Sequence, residues 1–480
     1  MSEIISEMEK MGVVTGISTP KNVFAIVKND IKNGAWVVIE SGSNQILGIV
    51  SATEAESRAL SRVYNHEEAQ EAKYIPTINP RDMANRVEIK IIGTMDDLVS
   101  ENLNVPNTPI TPGSEIRHAT SAELQLIFDK QDGSQIKLAR LSGAKNVDVG
   151  VDVEALSQHV GIFGMSGMGK SNLIAQKLIA IDEMEGTGVV YDYHADYTNL
   201  PLKNLNLLQP VINPIYLDAD EFGSLIGISS TATNQQNVFA RGFNREVKNS
   251  RDFWNELINQ IRLANQDPID AVPVSRVIRK VENAEKYLKI IDPNCSNPIK
   301  RLEDGKINVL DLHDLSEAQA KIIVNFYMSR IFNDRKKCLT QKSSIFSTVV
   351  LQVVEEAHIY LAERAGKVKE TISSVAREGR KFGCLLLIAS QRPRALDPLV
   401  LSQIGSLGIL RIINEEDLRM VAATSEFLSA EMINHVKGLA VGSAILVGNW
   451  TKVPVIVDTY HVQCKKVGTN LSILKSWQAK

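Results

Sequence analysis

The stretch Val160-Gly161-Ile162-Phe163-Gly164-Met165-Ser166-Gly167-Met168-Gly169-Lys170-Ser171 constrains this chain more than any other. A short apolar run leads into Gly164-x-x-x-x-Gly169-Lys170-Ser171, and a helical pattern follows from Asn172. Strand, glycine-bearing loop and helix in that order make a phosphate-binding loop. Glycines let the backbone curl until several N–H groups point at one anion. The positive end of the following helix adds to that field. Gly164, Met165, Ser166, Gly167, Met168, Gly169, Lys170, Ser171 and Asn172 are therefore the expected nucleotide contacts. Lys170 is placed for the β- and γ-phosphates of ATP, and the Ser171 hydroxyl for Mg2+.

With 480 residues the chain exceeds one ordinary core, so two or three domains are expected. A net charge of −3 does not announce a nucleic-acid partner, so any basic surface must be local, such as the lining of a ring. Cys295, Cys338, Cys384 and Cys464 are far apart and form no CxxC pair. That argues against a zinc site or a disulfide framework and fits a reducing cytoplasm. Neither a signal peptide nor an apolar run of membrane-spanning length is seen, so no membrane partner is expected.

Residues 11 to about 95 read as short strands separated by Gly, Asn and Ser turns, a small β-barrel with an assembly role. A helical stretch holding Glu54, Glu56 and Arg58 is expected to interrupt it. Residues 96–146, with Pro106, Pro109, Pro112 and Gly113, read as a connection with little regular structure and one strand at Ile136–Leu141. The ATPase core is expected over 147–460, and 461–480 as a lysine-bearing tail with a short helix. Helical spacing around Phe253, Trp254, Leu257 and Ile261, and again at Val277 to Ala284, places a helical insertion at about 215–290. Its aromatic residues fit a core better than a base-stacking platform. A helix is expected from Glu317 to Phe332, with Arg335-Lys336-Lys337 solvated in the loop after it.

Three further segments carry chemistry. Val189 to His194 reads as a parallel strand ending in polar groups; ligands of α/β sheets lie beyond such ends. Asp192 and His194 are thus candidates to face the nucleotide, or simply turn residues. Ser347 to His358 reads as a buried strand ending in Glu355-Glu356. Neighbours on a strand point to opposite faces, so the two cannot share a task. Glu355 is assigned to Mg2+ through water, and Glu356 to orienting or deprotonating the attacking water. An acidic first turn of a helix is the competing reading. Cys384 to Pro393 gives another buried strand, with Gln391 at its end to contact the γ-phosphate or the water. Arg377 and Arg380 lie three apart on one helix face. Arg380 is the first candidate for an arginine reaching a neighbouring subunit's site and Arg377 the second; DNA contact or a surface ion pair competes with both.

Together these segments resemble the HerA family of hexameric DNA translocases, in the wider HerA/FtsK group. The resemblance rests on Gln158-His159 leading into the loop, Asp192-Tyr193-His194-Ala195-Asp196-Tyr197, Glu355-Glu356-Ala357-His358, Arg377-Glu378-Gly379-Arg380-Lys381-Phe382-Gly383 and Ser390-Gln391-Arg392-Pro393. It implies an α/β chain: a RecA-like P-loop core with a helical insertion, plus the N-terminal barrel. It also implies a homo-hexameric ring that encircles double-stranded DNA, uses ATP and Mg2+, and acts with a NurA-type nuclease in end resection. An ATP-gated scaffold for a nuclease or defence effector is the alternative; the missing membrane segments weaken a conjugation-type pump. Relatives usually show Gly-Glu where this chain has Ala195-Asp196, and often Arg where it has Gln158. If that Arg senses nucleotide, Arg140 is a substitute.

Overall fold

The structure, a computed structural model, describes residues 9–28, 30–100, 106–129, 134–144, 146–340, 344–425, 428, 430–451 and 453–462. Residues 463–480, which hold Cys464 and nearly all of the expected tail, lie outside them. The chain divides into two compact units. The first is the chain up to Ala155 together with Ser406–Ile413 and Ser425–Tyr460; the second is mainly Leu156–Gly405 with Asn414–Thr424.

In the first unit, β1 (Gly12–Thr15), β2 (Asn22–Val27), β3 (Trp36–Ser41), β4 (Asn44–Ser57), β5 (Met83–Thr94) and β6 (Glu115–His118) form a closed barrel, order β1-β2-β5-β4-β3-β6. Alternation explains it: along β2, and along β5 from Val87 onward, every second residue is buried. Val23, Ala25, Val27, Val87, Ile89 and Ile91 meet in one core. Closure leaves no unpaired sheet edge.

Two expectations are corrected here. Glu54 and Glu56 are on β4 rather than a helix, and Glu56 pairs with Arg86 of β5 at 2.8 Å. Carboxylates on the exposed half of a long strand mimic helical spacing. The closing strand β6 lies inside the supposed connection, as does the helix Ser121–Phe128. Thr120 and Glu123 cap that helix reciprocally, and buried Arg117 of β6 holds Glu123 at 2.7 Å. The first unit also holds an antiparallel set: β7 (Gln135–Leu141), β8 (Asp148–Asp152) and three strands from far along the chain, introduced below.

The second unit is a parallel sheet. Its strands are β9 (Val160–Phe163), β10 (Thr187–Asp192), β11 (Leu205–Leu208), β12 (Ile307–Asp311), β13 (Val350–Val354) and β14 (Cys384–Ser390), in the order β11-β12-β10-β13-β14-β9. Every residue of β9, β10, β12, β13 and β14 is buried, as expected of strands covered on both faces. The main helices are α1 (Lys170–Glu183), α2 (Thr233–Gly242), α3 (Phe253–Leu263), α4 (Ala271–Tyr287), α5 (Glu317–Thr340) and α6 (Lys367–Glu378). Helices α2 to α4 form the insertion. Its aromatic residues are core: Phe222 is fully buried, with ring centroids 5.0 Å from Phe243 and 5.4 Å from Phe239.

Helix α5 runs past the expected end at Phe332, which corrects the reading of Arg335-Lys336-Lys337 as a loop. Arg335 is buried and donates to the carbonyls of Phe382 and Phe346. Lys336 pairs with Glu378 and sits over the Phe332 ring. Strands β15 (Ser406–Ile409), β16 (Ser443–Gly448) and β17 (Val455–Thr459) complete the first unit's antiparallel set. Val457 of β17 lies opposite Leu141 of β7, so the C-terminal strands group with the N-terminal unit instead of with a 147–460 core. A pairing across some three hundred positions leaves no local trace in sequence. Among the described residues no helix is long and apolar enough to cross a membrane, and Cys295, Cys338 and Cys384 are free thiols.

Candidate nucleotide site

Strand order assembles the site. β9 pairs with β14, β14 with β13, and β13 with β10, all parallel, so their carboxyl ends open on one edge. From that edge come the loop after β9, Gln391 after β14, Glu355-Glu356 after β13, and Asp192 at the end of β10.

The loop folds as its glycines require. Gly167 (φ 77°) and Gly169 (φ 110°) occupy the left-handed region, and Gly169 is the N-cap of α1. Lys170, almost fully buried, donates to the Met165 carbonyl at 3.2 Å, folding back over the loop. The Ser166 hydroxyl donates to Gln391 Oε1 at 2.5 Å, joining the loop to the end of β14.

The two glutamates have opposite surroundings. Glu355 is 2% exposed; its Oε1 accepts from Tyr197 Oη at 2.9 Å and lies 3.1 Å from Ser171 Oγ. Burial, then the charges of Asp196 and Asp192, push its carboxyl up to about 8. Glu356 is held below the usual carboxylate range. Burial opposes this, but the hydrogen bond from His358 and the charge of Lys170 prevail. His358 Nδ1 is 3.1 Å from Glu356 Oε2, and half-exposed His194 is 3.8 Å from Oε1. Glu356 also has φ 47°, a costly conformation for a residue with a side chain and one that clusters at working sites. The residue pair is therefore a strained turn directly after β13, not the first turn of a helix; the short helix begins at His358.

Asp192 differs from its expected role. It is fully buried, and its two oxygens accept the backbone N–H groups of Asp196 (3.0 Å) and Tyr197 (2.9 Å). It anchors the loop after β10 rather than facing the nucleotide. Burial raises its carboxyl to about 6 despite those bonds.

Comparison with known proteins identifies the family. The family description "Helicase HerA, central domain" matches residues 136–331, and "HAS barrel domain" matches 11–97. The chain is 31% identical to the DNA double-strand break repair helicase HerA of Sulfolobus acidocaldarius, over 98% of this chain and 96% of that one. It is 30% identical to the protein of the same name from Sulfurisphaera tokodaii, with the same coverage. The chain belongs to the HerA family. Among solved structures, VirB4 of Thermoanaerobacter pseudethanolicus aligns with a TM-score of 0.49 at 14% identity, covering 69% of this chain and 98% of that one. The expectation of a P-loop enzyme of the ATP-hydrolysing helicase class stands on HerA membership and the cradle together.

HerA resemblance also directs attention to the residues that depart from the family pattern. Ala195, the first of the two departures in the segment after Asp192, sits at φ 55°. Asp196, the second, accepts from Ser171 Oγ at 2.6 Å. Neither Asp196 nor Tyr197 was among the expected site residues; both follow Asp192 in the segment that carries the resemblance, and that was the available signal. His159 is buried at φ 59°. Its Nδ1 accepts the Leu386 N–H at 3.0 Å, so its Nε2–H donates to the Ala376 carbonyl, also at 3.0 Å. Burial lowers its pKa and keeps this tautomer neutral. It ties the start of β9 to β14 and to the end of α6, beside Arg377. Arg377 and Arg380 are exposed, Arg377 on α6 and Arg380 in the 3-10 turn after it, so a single helix does not carry both. The guanidinium of Arg140 lies over the Tyr460 ring at 5.6 Å, which gives it a local partner.

Proposed function

We propose that this chain is an ATP-driven motor that moves along double-stranded DNA as a homo-hexameric ring, serving end resection in recombinational repair beside a NurA-type nuclease. The observation that carries the reading is the completeness of the hydrolytic edge: Lys170, Ser171, Glu355, Glu356 and Gln391 converge on one opening. The names of the two relatives, DNA double-strand break repair helicases, support the DNA substrate and the repair setting. Ring assembly and the nuclease are inferred from the family resemblance.

The chemistry follows from the residues. Loop N–H groups and the α1 terminus bind the phosphates, and Lys170 exchanges the Met165 carbonyl for phosphate oxygens. Ser171 and Glu355 suit Mg2+: they are hard oxygen donors, and Glu355 Oε2 is buried without a hydrogen-bond partner. When bound, the ion neutralises charge on the β- and γ-phosphates. Glu356, kept ionised and held by His358, orients the attacking water and accepts its proton. Gln391, already joined to the loop through Ser166, positions the same region. Arg380, or Arg377, stands exposed to complete a neighbour's pocket, which would couple hydrolysis to movement around the ring.

ATP turnover with and without linear duplex DNA, beside a native mass, tests the proposal. Duplex DNA should stimulate turnover, and both Lys170→Ala and Glu356→Gln should lower it by about 100-fold or more. Unchanged turnover in Glu356→Gln, or a single inert subunit, overturns it. Nuclease activation that survives loss of hydrolysis would favour a scaffold.

A further inference from the structure

His159 joins three elements of the second unit through one ring. It stands immediately before β9, the strand that enters the phosphate loop. It is 3% exposed and holds φ 59°. A left-handed residue that is not glycine is costly and persists only where its surroundings fix it. Here both ring nitrogens are engaged: Nδ1 accepts the Leu386 N–H of β14, and Nε2–H donates to the Ala376 carbonyl of α6. Burial, and after it the charge of Arg380, lower the imidazole pKa against the Ala376 bond. The ring is thus a neutral link that does not repel the guanidinium near it.

The Ala376 bond has a particular target. The last four carbonyls of a helix find no partner within it. Because α6 ends at Glu378, the Ala376 carbonyl is one of the four, and His159 closes it from another element. The chain just beyond is gripped on two more sides. Gly379 lies so close to the Cys384 carbonyl that a side chain there would collide with it. Buried Arg335 of α5 donates to the Phe382 carbonyl at 3.0 Å. This clamped stretch carries Arg380, which is exposed and whose guanidinium has no hydrogen bond or ion pair among the described residues. Arg377 differs: its Nε folds back to the Ser373 carbonyl at 3.4 Å. The backbone under Arg380 is fixed, and its cation is left to reach outward.

We propose that His159 is a positioning residue for Arg380. It ties the strand that enters a subunit's own phosphate loop to the helix end from which that subunit offers its arginine. The inference rests on the reading of Arg380 as the group that completes a neighbour's pocket.

The test uses full-length protein with linear duplex DNA: steady-state ATP turnover, ADP affinity and native mass, for single and double variants. His159→Asn tolerates a left-handed backbone and keeps an acceptor near the Nδ1 position, but is too short to reach Ala376. It should lower kcat about 10- to 100-fold, the effect of a catalytic group held slightly out of place. KM for ATP, ADP affinity and native mass should not change, because the loss is confined to the transition state. His159→Gln, long enough to reach, should recover most of the rate. Arg380→Ala should lower kcat about 1000-fold or more. The double variant His159→Asn/Arg380→Ala should be no slower than Arg380→Ala, since a positioning residue adds nothing once the group it positions is gone. Equal losses in His159→Asn and His159→Gln overturn the proposal, as does a His159→Asn protein that keeps normal turnover, loses ADP binding or fails to assemble. If Arg380→Ala turns over like the unmodified protein, the arginine reading fails and takes this inference with it. If Arg380→Ala is slow and the double variant slower still, the inference fails alone.

Discussion

The two ends of the parallel sheet treat a carboxylate in opposite ways. At the amino ends, Asp304 accepts hydrogen bonds from Thr187 Oγ1 (2.6 Å), Thr348 Oγ1 (2.9 Å), Ser347 Oγ (2.6 Å) and the Ser347 N–H (2.8 Å). Burial works against its charge, but those four donors win and draw its pKa down to about 2. At the carboxyl ends, Glu355 has a partnerless oxygen and acidic neighbours, and its carboxyl rises to about 8. The backbone differs as well: Ala195 and Glu356 are forced to positive φ beside the opening. One end spends its polar groups on holding strands together. The other leaves Glu355 Oε2 without a hydrogen-bond partner, the pattern expected under the nucleotide-binding reading proposed above.

Replacing Glu355 should produce the largest effect and split function from stability. Glu355→Gln replaces a carboxyl that burial and acidic neighbours already hold mostly protonated without a cation, and removes the oxygen that a cation would ionise and bind. Turnover should fall about 10- to 100-fold with loss of a metal-side carboxylate. Thermal stability in EDTA should hold or rise. A turnover loss accompanied by a large drop in melting temperature would mean that Glu355 is a structural group like Asp304, and the contrast between the two ends would collapse.

Much of this edge is legible in the sequence. The phosphate loop, Glu355-Glu356 and Gln391 each stand at the end of a short apolar run, and parallel strands must bring such ends together. The bond between Asp196 and Ser171 was not legible, because it follows a turn in which Asp192 grips two backbone N–H groups, a contact that no spacing rule encodes. The barrel's inner strands were readable from alternation. Its closing strand β6 was hidden among prolines, and Glu54 and Glu56 misled because exposed strand charges can copy helical spacing. The association of β17 with β7 depends on contacts remote in sequence, so composition and periodicity do not register it.

An intermediate effect is expected at the amino ends. Asp304→Asn keeps the shape but weakens four charge-assisted bonds. With the group half exposed, the cost should be about 1–2 kcal/mol. Its pH dependence has a definite sign. The folded pKa is depressed, so the stabilisation is complete above the unfolded carboxyl value near 3.9 and is lost as pH falls towards about 2. Denaturant melts should therefore show a constant gap between the unmodified protein and Asp304→Asn above about pH 5, closing below about pH 4. A gap that widens in acid would reverse the assignment.

The smallest effect tests whether strain at the carboxyl ends is tied to function. Ala195 stands at φ 55° and 4% exposure. An alanine in the left-handed region costs about 1–2 kcal/mol. Glycine relieves that cost but gives back about 0.4–1 kcal/mol through the freer unfolded chain. Ala195→Gly should then stabilise the protein by about 0–1.6 kcal/mol. The more telling measurement is Mn2+ affinity with ADP. If Ala195 helps hold the turn that brings Tyr197 to Glu355, the more flexible glycine should loosen cation binding slightly while stability improves. If affinity and stability rise together, the strain at Ala195 is incidental, and only Glu356 would remain as a strained residue maintained for the site.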